Sequence, residues 1–185
     1  MSDPQNIIKG TSASETIEGS SQNDRIISSG GADTIFGYQG DDQLNGYALT
    51  SGKFVHWGSS DLLKIYGGQG NDFIVGGRDK DQLYGESGND SIHGLEGDDL
   101  LTGEEGSDSL YGGDGNDLLE GGVGDDELWG ASGDDRLYGG SGNDYLDGGV
   151  GDDYLNGNDG DDELYGDVSD KGIYGNDTLI GGNGD

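Results

Sequence analysis

The stretch that decides the fold is Gly112–Tyr165, which divides into six consecutive blocks of nine residues: GGDGNDLLE, GGVGDDELW, GASGDDRLY, GGSGNDYLD, GGVGDDYLN and GNDGDDELY. Every block has Gly at its first and fourth positions, Asp at its sixth and Leu at its eighth. Self-similarity at a short fixed period predicts a solenoid, in which each unit buries its apolar residue by stacking on its neighbours.

The same pattern continues on both sides of this stretch. It is unbroken for eleven blocks over residues 67–165, where only Asp79 replaces a fourth-position Gly and predicts a strained or weaker turn. Weaker blocks occupy residues 10–45. We therefore predict one array over residues 10–185, with residues 1–9 as a short lead-in strand that caps its first turn.

Two interruptions break the period. Residues 46–66 correspond to two blocks plus three residues or to one block plus twelve. We interpret them as a hairpin or loop at one edge, with a recognition loop as the alternative, because loops on rigid scaffolds often carry binding. A second insertion near residues 166–174 adds six residues before the period resumes. The last block stops after five residues, which indicates a fragment or an array that continues further.

The composition is acidic and rich in glycine. The chain has 39 acidic and 8 basic residues, a net charge of −31, and 42 glycines. Such a chain is expected to stay disordered until a cation neutralises it. The few Lys and Arg residues argue against a nucleic-acid partner. No apolar run approaches membrane-spanning length, the N-terminus lacks the features of a signal peptide, and the absence of Cys excludes disulfides and thiolate metal ligands.

The eighth position of each block predicts the core. Side chains alternate along a strand, so the eighth residue faces inward while the seventh and ninth face solvent. We expect a six-residue turn and a three-residue strand per block, with two blocks per turn of the solenoid and parallel strands about 4.8 Å apart. One inward residue per block is too thin a core to order the chain alone. The predicted inward residues are Ile17, Ile26, Ile35, Leu44, Ile74, Leu83, Ile92, Leu101, Leu110, Leu119, Leu128, Leu137, Leu146, Leu155 and Leu164.

The sixth-position aspartates predict metal sites that supply the missing stability. Carboxylates 18 residues apart would stack and repel, whereas a Ca²⁺ between them would bind both, with turn carbonyls completing its six to eight oxygen ligands. Mg²⁺ fits less well because it demands a strict octahedron, and transition metals prefer imidazole or thiolate. This spacing predicts about ten ions. The predicted ligands are Asp24, Asp33, Asp42, Asp72, Asp81, Asp90, Asp99, Asp108, Asp117, Asp126, Asp135, Asp144, Asp153, Asp162 and Asp177.

Over about residues 10–185 the repeats resemble the RTX (repeats-in-toxin, haemolysin-type calcium-binding) family. The resemblance implies a right-handed parallel β-roll that leaves the cell unfolded by type I secretion and folds in extracellular calcium. For such a chain the free energy of metal binding is also free energy of folding. No C-terminal secretion signal, which the family normally carries after its repeats, is visible.

These features predict a secreted, non-catalytic and monomeric calcium-binding module. His56 and His93 do not form the zinc motif H-E-x-x-H, and a G-x-S-x-G nucleophile motif is absent. RTX arrays accompany hydrolases and epimerases, so a catalytic domain in a longer parent chain is one alternative.

Binding of a polysaccharide or cell-surface ligand is the other alternative. It would use an outward row of aromatic residues at the ninth position, although simple aromatic pairing between neighbouring strands explains the same residues. The row contains His93, Tyr111, Trp129 and Tyr165 and is interrupted by Asp147.

Overall fold

The computed structural model describes residues 6–11, 13–28, 33–45, 48–50, 53–55, 62–167 and 175–184. Two parallel sheets of nine strands each form the fold, accompanied by one two-stranded hairpin. This architecture confirms the predicted all-β parallel β-roll. Within the described ranges no helix is long and apolar enough to cross a membrane.

The strands alternate between two sheets, which we name sheet A and sheet B. Sheet A contains, in spatial order, β1 (Asn6–Lys9), β3 (Asp24–Ile27), β5 (Gln43–Asn45), β9 (Phe73–Gly77), β11 (Ser91–Glu96), β13 (Ser109–Asp114), β15 (Glu127–Ser132), β17 (Tyr145–Val150) and β19 (Glu163–Tyr165). Sheet B contains β2 (Thr16–Ser20), β4 (Thr34–Gln39), β8 (Lys64–Gln69), β10 (Gln82–Ser87), β12 (Leu100–Glu105), β14 (Leu118–Val123), β16 (Arg136–Ser141), β18 (Tyr154–Asp159) and β20 (Thr178–Ile180). The hairpin pairs β6 (Ala48–Thr50) with β7 (Lys53–Val55) in antiparallel fashion.

The register confirms that one turn of the solenoid takes two blocks. Leu83 of β10 pairs with Leu101 of β12, and Leu110 of β13 pairs with Leu128 of β15, so each partner lies 18 residues further on. Because both sheets keep this offset, equivalent block positions stack in straight rows along the solenoid. Every chemical feature of one block is thereby repeated directly above itself.

The strands are longer than the sequence predicted. A typical strand runs for six residues, from the seventh position of one block to the third of the next, so the predicted three-residue strand was wrong. The glycine-rich positions stay in the ladder: Gly113 still pairs with Ala131. The strand kinks at its second position, where φ is +88° at Leu95 and +84° at Ala131. The turn is therefore confined to the fourth to sixth positions.

The block that carries Asp79 follows a different path. Neither Gly77 nor Asp79 has the positive φ that the equivalent residues of neighbouring blocks adopt. Strand β9 ends at Gly77, one block position earlier than β11 or β13. A left-handed conformation is costly for a residue with a Cβ atom. The substitution therefore changes the turn rather than leaving a strained copy of the others.

The insertions lengthen the spacing between stacked residues without changing the rows. Thr34 of β4 pairs with Lys64 of β8, an offset of 30 residues, which corresponds to one further block plus twelve residues. Ile65 of β8, within the interval predicted as an interruption, belongs to the core with 0% exposure. Tyr154 pairs with Thr178, which corresponds to six added residues. Tyr47, His56 and Trp57 lie outside the described residues.

The core is a narrow double file of aliphatic side chains between the sheets. The predicted residues from Ile17 to Leu155 are all buried, and Leu164 is partly buried against them. Leu63 and Ile65, which the repeat pattern did not assign, complete the files across the first interruption. The other buried positions are mainly glycines and the sixth-position aspartates, so carboxylates occupy the ends of the core.

Candidate metal centre

The sixth-position aspartates form two columns, one at each edge of the solenoid. Column 1 stands where turns enter sheet A, and column 2 stands where turns enter sheet B. Thirteen of the fifteen predicted ligands are at most 3% exposed, while Asp162 and Asp177 are partly exposed. Column 1 contains Asp24, Asp42, Asp72, Asp90, Asp108, Asp126, Asp144 and Asp162, and column 2 contains Asp33, Asp81, Asp99, Asp117, Asp135, Asp153 and Asp177.

One carboxylate oxygen of each aspartate is used to join neighbouring turns. The backbone N–H of Asp99 donates to Oδ1 of Asp117 at 2.8 Å, and the N–H of Asp117 donates to Oδ1 of Asp135 at 2.7 Å. Twelve such bonds run through the described columns. They satisfy a buried backbone donor in each turn.

The other oxygen, Oδ2, has no hydrogen-bond partner among the described residues, although it is fully buried. A buried acceptor without a donor is strongly unfavourable, and a charged one more so. Twelve aspartates share this feature, namely Asp42, Asp72, Asp81, Asp90, Asp99, Asp108, Asp117, Asp126, Asp135, Asp144, Asp153 and Asp162. Their number makes it a property of the repeat.

Each of these oxygens faces a second acceptor in the next turn. A Cβ atom placed on Gly67 would lie 2.5 Å from Asp72 Oδ2 and 2.7 Å from the carbonyl oxygen of Gly85. At Gly76 the corresponding point is 2.6 Å from Asp81 Oδ2 and 2.9 Å from the carbonyl oxygen of Gly94. The first-position glycine therefore leaves a small space onto which a carboxylate and a carbonyl converge. Two acceptors that share a space without a donor require a cation.

The electrostatics of the columns point to the same requirement. Burial raises the pKa of Asp72 to about 8, and the neighbouring charge of Asp90 raises it further against the lowering effect of a backbone hydrogen bond. Burial likewise raises the pKa of Asp99 to about 8 and that of Asp135 to about 7. Ionised carboxylates are thus unfavourable in these positions by themselves. A divalent ion at each pair would reverse that preference.

The donor set fits calcium best. No group of three or more acidic, His or Cys side chains converges among the described residues, so each site would combine stacked carboxylates with backbone carbonyls. Such an all-oxygen, irregular and flexible ligand set suits Ca²⁺, whereas Mg²⁺ demands a near-ideal octahedron. His93 lies on the outer face of sheet A beside Ser91, away from both columns.

The structure joins aspartates that the simple spacing left apart. Asp42 stacks on Asp72 across the first insertion, with its N–H 2.6 Å from Oδ1. Asp153 stacks on Asp177 across the second insertion at 3.1 Å. The insertion lengths of twelve and six residues were the signal for both pairs. The part of each site that sequence reasoning missed is the space above the first-position glycine.

Asp33 is the exception among the predicted ligands. Its Oδ1 accepts the N–H of Glu15 at 2.9 Å, and its Oδ2 accepts a hydrogen bond from the hydroxyl of Ser28, which stands at the glycine position of that block. The residue stacked above it is Leu63, not an aspartate. Asp33 therefore shares a column with the other ligands but is not paired with a second aspartate.

Fold and site together define a parallel β-solenoid whose stacked turns present paired carboxylates to cations. The chain belongs to the RTX calcium-binding nonapeptide repeat family, whose four-copy model matches residues 9–46, 64–92, 84–119, 93–128, 111–146, 138–170 and 172–185. The chain is accordingly a module of calcium-binding repeats. A comparison with curated proteins found no match.

Proposed function

We propose that the chain is a non-catalytic module that folds when it binds several Ca²⁺ ions. The observation that carries this proposal is the set of twelve buried, unpartnered Asp Oδ2 atoms, which face backbone carbonyls in the next turn. Because the core is only one aliphatic residue wide per block, the ions supply stability that packing does not. Binding and folding are then one process.

The ion number follows from the stacked pairs. Nine pairs within residues 67–165 and the Asp24–Asp42 pair correspond to about ten ions, and the pairs across the two insertions are two further positions. About ten Ca²⁺ would offset twenty of the 31 net negative charges. The remaining charge is compatible with a soluble, monomeric domain.

Dependence on calcium suits a protein that works outside the cell. Extracellular calcium modules bind at about 10⁻⁴ to 10⁻³ M, well above the calcium level to which intracellular sensors respond. A chain that stays unfolded before export and folds afterwards is compatible with type I secretion. A catalytic domain, where a longer parent has one, would be held by this module rather than formed from it.

Circular dichroism during a calcium titration tests the proposal. In chelator we expect the spectrum of a disordered chain, and with calcium a cooperative gain of β signal accompanied by uptake of about ten ions in calorimetry. Magnesium at the same concentrations should produce little change. A β spectrum that excess chelator leaves unchanged would contradict calcium-dependent folding.

Binding of a neutral carbohydrate is a second candidate function. The predicted aromatic row does not itself favour it, because the rings of Tyr111 and Trp129 stack on each other at 4.4 Å and an angle of 3°, which covers their faces. Beside the row, however, lies a groove of about 510 Å³ lined by apolar Leu95 and by the charged groups of Arg78 and Glu96. Grooves of this size with a few polar groups suit small ligands.

Calorimetric titration of the calcium-loaded protein with neutral and acidic oligosaccharides tests this second candidate. The net charge of the chain favours the neutral ones. Leu95→Gly should abolish binding without disturbing the strand, since φ at this position is +88°. Equal binding by the variant would exclude the groove.

A further inference from the structure

The negative charge is distributed very unevenly along the solenoid. Residues 1–80 contain ten acidic and six basic residues, a net charge of −4, whereas residues 81–185 contain 29 acidic and two basic residues, a net charge of −27. Self-repulsion opposes a compact state. The need for cations is therefore concentrated after residue 80. We name described residues 6–80 the first segment and described residues 81–184 the second segment.

Column 2 within the first segment is built without paired carboxylates. The carboxylate of Glu15 accepts hydrogen bonds from Thr11, and that of Asp33 accepts one from Ser28. The next residue in the column is Leu63, which is 4% exposed and part of the core. Hydroxyl groups and an apolar side chain thus occupy the places that carboxylates hold in the second segment.

The backbone of the column is nevertheless continuous. The N–H of Leu63 donates to Oδ1 of Asp81 at 2.9 Å, as the N–H of Asp81 does to Oδ1 of Asp99 at 2.7 Å. Leu63 therefore preserves the stacking of turns and removes only the charge. The first segment has aspartate pairs in column 1 alone, whereas the second segment has them in both columns.

We propose that the first segment becomes ordered at a lower calcium concentration than the second and provides the turns on which the second segment stacks. This inference rests on the proposed calcium-dependent folding. Nucleation is the slow and unfavourable step in a solenoid, because a turn gains its contacts only from a neighbour that is already formed. A segment with half the cation demand and little net charge reduces that barrier. The solenoid is then assembled from its N-terminal end.

Hydrogen exchange measured by mass spectrometry during a calcium titration of the whole chain tests the order. Peptides from residues 34–45 and 62–76 should become protected at a lower calcium midpoint than peptides from residues 99–165. A single common midpoint, or earlier protection of residues 99–165, would overturn the inference while leaving calcium-dependent folding intact. Failure to bind calcium at all would instead overturn the proposed function.

Leu63→Asp tests the structural cause. The substitution places a carboxylate between Asp33 and Asp81, so calcium uptake should rise by about one to two ions and the midpoint of the first segment should move up toward that of the second. Leu62→Asp is the matched control, because Leu62 is 42% exposed and adds the same charge beside the column. Equal calcium uptake and equal midpoints in the two variants would contradict the assignment. The wild-type titration decides the order even if Leu63→Asp fails to fold.

Discussion

At the scale of single residues, the glycine at the first block position and the aspartate at the sixth form one functional unit. The absent side chain of Gly67 leaves the space in which Asp72 Oδ2 and the carbonyl of Gly85 meet. The sequence made the aspartate conspicuous as a ligand, because carboxylates repeat at every ninth residue. It attributed the glycine only to backbone freedom, since the approach of the next turn is not encoded in any single block.

Gly67→Ala should remove one metal site. The new methyl group would lie 2.5 Å from Asp72 Oδ2 and 2.7 Å from a backbone carbonyl, so the turns must separate at a cost of about 1–3 kcal/mol. Calorimetry should show lower calcium uptake, and thermal unfolding in calcium a lower Tm. Gly181→Ala is the matched control, because nothing lies within 4 Å of the added atom there. Similar losses in the two variants would argue against the proposed space.

The stability of the cation-free fold should depend on pH in an unusual direction. Burial raises the folded-state pKa of Asp72 to about 8 and that of Asp90 to about 6, above their ordinary value of about 4. The folded state therefore binds more protons than the unfolded state, and its stability is greatest in acid and is lost as the pH rises through about 6 to 8. In chelator, circular dichroism should show more β signal at about pH 5 than at about pH 9.

Calcium should reverse this trend, because it binds the ionised carboxylates. With saturating calcium, the β signal should persist at alkaline pH, and calcium affinity should fall on acidification. A cation-free chain with the same spectrum at both pH values would contradict the electrostatic description of the columns.

At the scale of elements, the strand and the column are coupled through shared residues. The sequence predicted the inward Leu row and the two-block turn correctly, because side-chain alternation and period are local properties. It placed the strand ends wrongly, because glycine usually weakens strands. Here the register of neighbouring turns holds Gly113 and Ala131 in the ladder. Pairing across turns is a property of the stack and outweighs the preference of the residue.

Asp117→Ala should weaken two metal sites at once. Asp117 accepts the N–H of Asp99 and donates its own to Asp135, so it contributes to the pair below and the pair above. Loss of the carboxylate also leaves the buried N–H of Asp99 without an acceptor, which costs about 1–3 kcal/mol. Calcium titrations followed by circular dichroism should show a higher midpoint.

Asp24→Ala provides the comparison for this prediction. Asp24 forms an aspartate pair only with Asp42, and its own carboxylate accepts the N–H of Ser20. We expect it to raise the calcium midpoint less than Asp117→Ala does. Equal effects of the two substitutions would argue against stacked, shared sites.

At the scale of the whole molecule, the solenoid tolerates insertions only of lengths that preserve the rows. Asp42 and Asp72 are 30 residues apart and still stack, because twelve residues leave the rows and return to the same position. Sequence could not decide between this description and two blocks plus three residues, since Leu63 replaces the aspartate that would have marked the hidden block. Only the pairing of β4 with β8 identifies it.

Deletion of residues 46–57 should therefore leave the fold intact. It removes twelve residues and brings Asp72 to the 18-residue offset of the other pairs, so the stacking of β5 on β9 is unchanged. We expect the same β spectrum and a calcium midpoint within about twofold of the wild type, because surface insertions contribute little to stability.

Deletion of residues 46–56 is the matched control, because it differs by a single residue. The offset of Asp72 becomes 19, and a slip of one residue turns every inward side chain of a strand toward solvent. Either the turns after the deletion fail to stack on those before it, or the junction must form a strained bulge, and calcium-induced β signal should fall sharply. If both deletions fold equally well, the rows are not in register across the insertion. If neither folds, residues 46–57 are part of the structure that calcium stabilises.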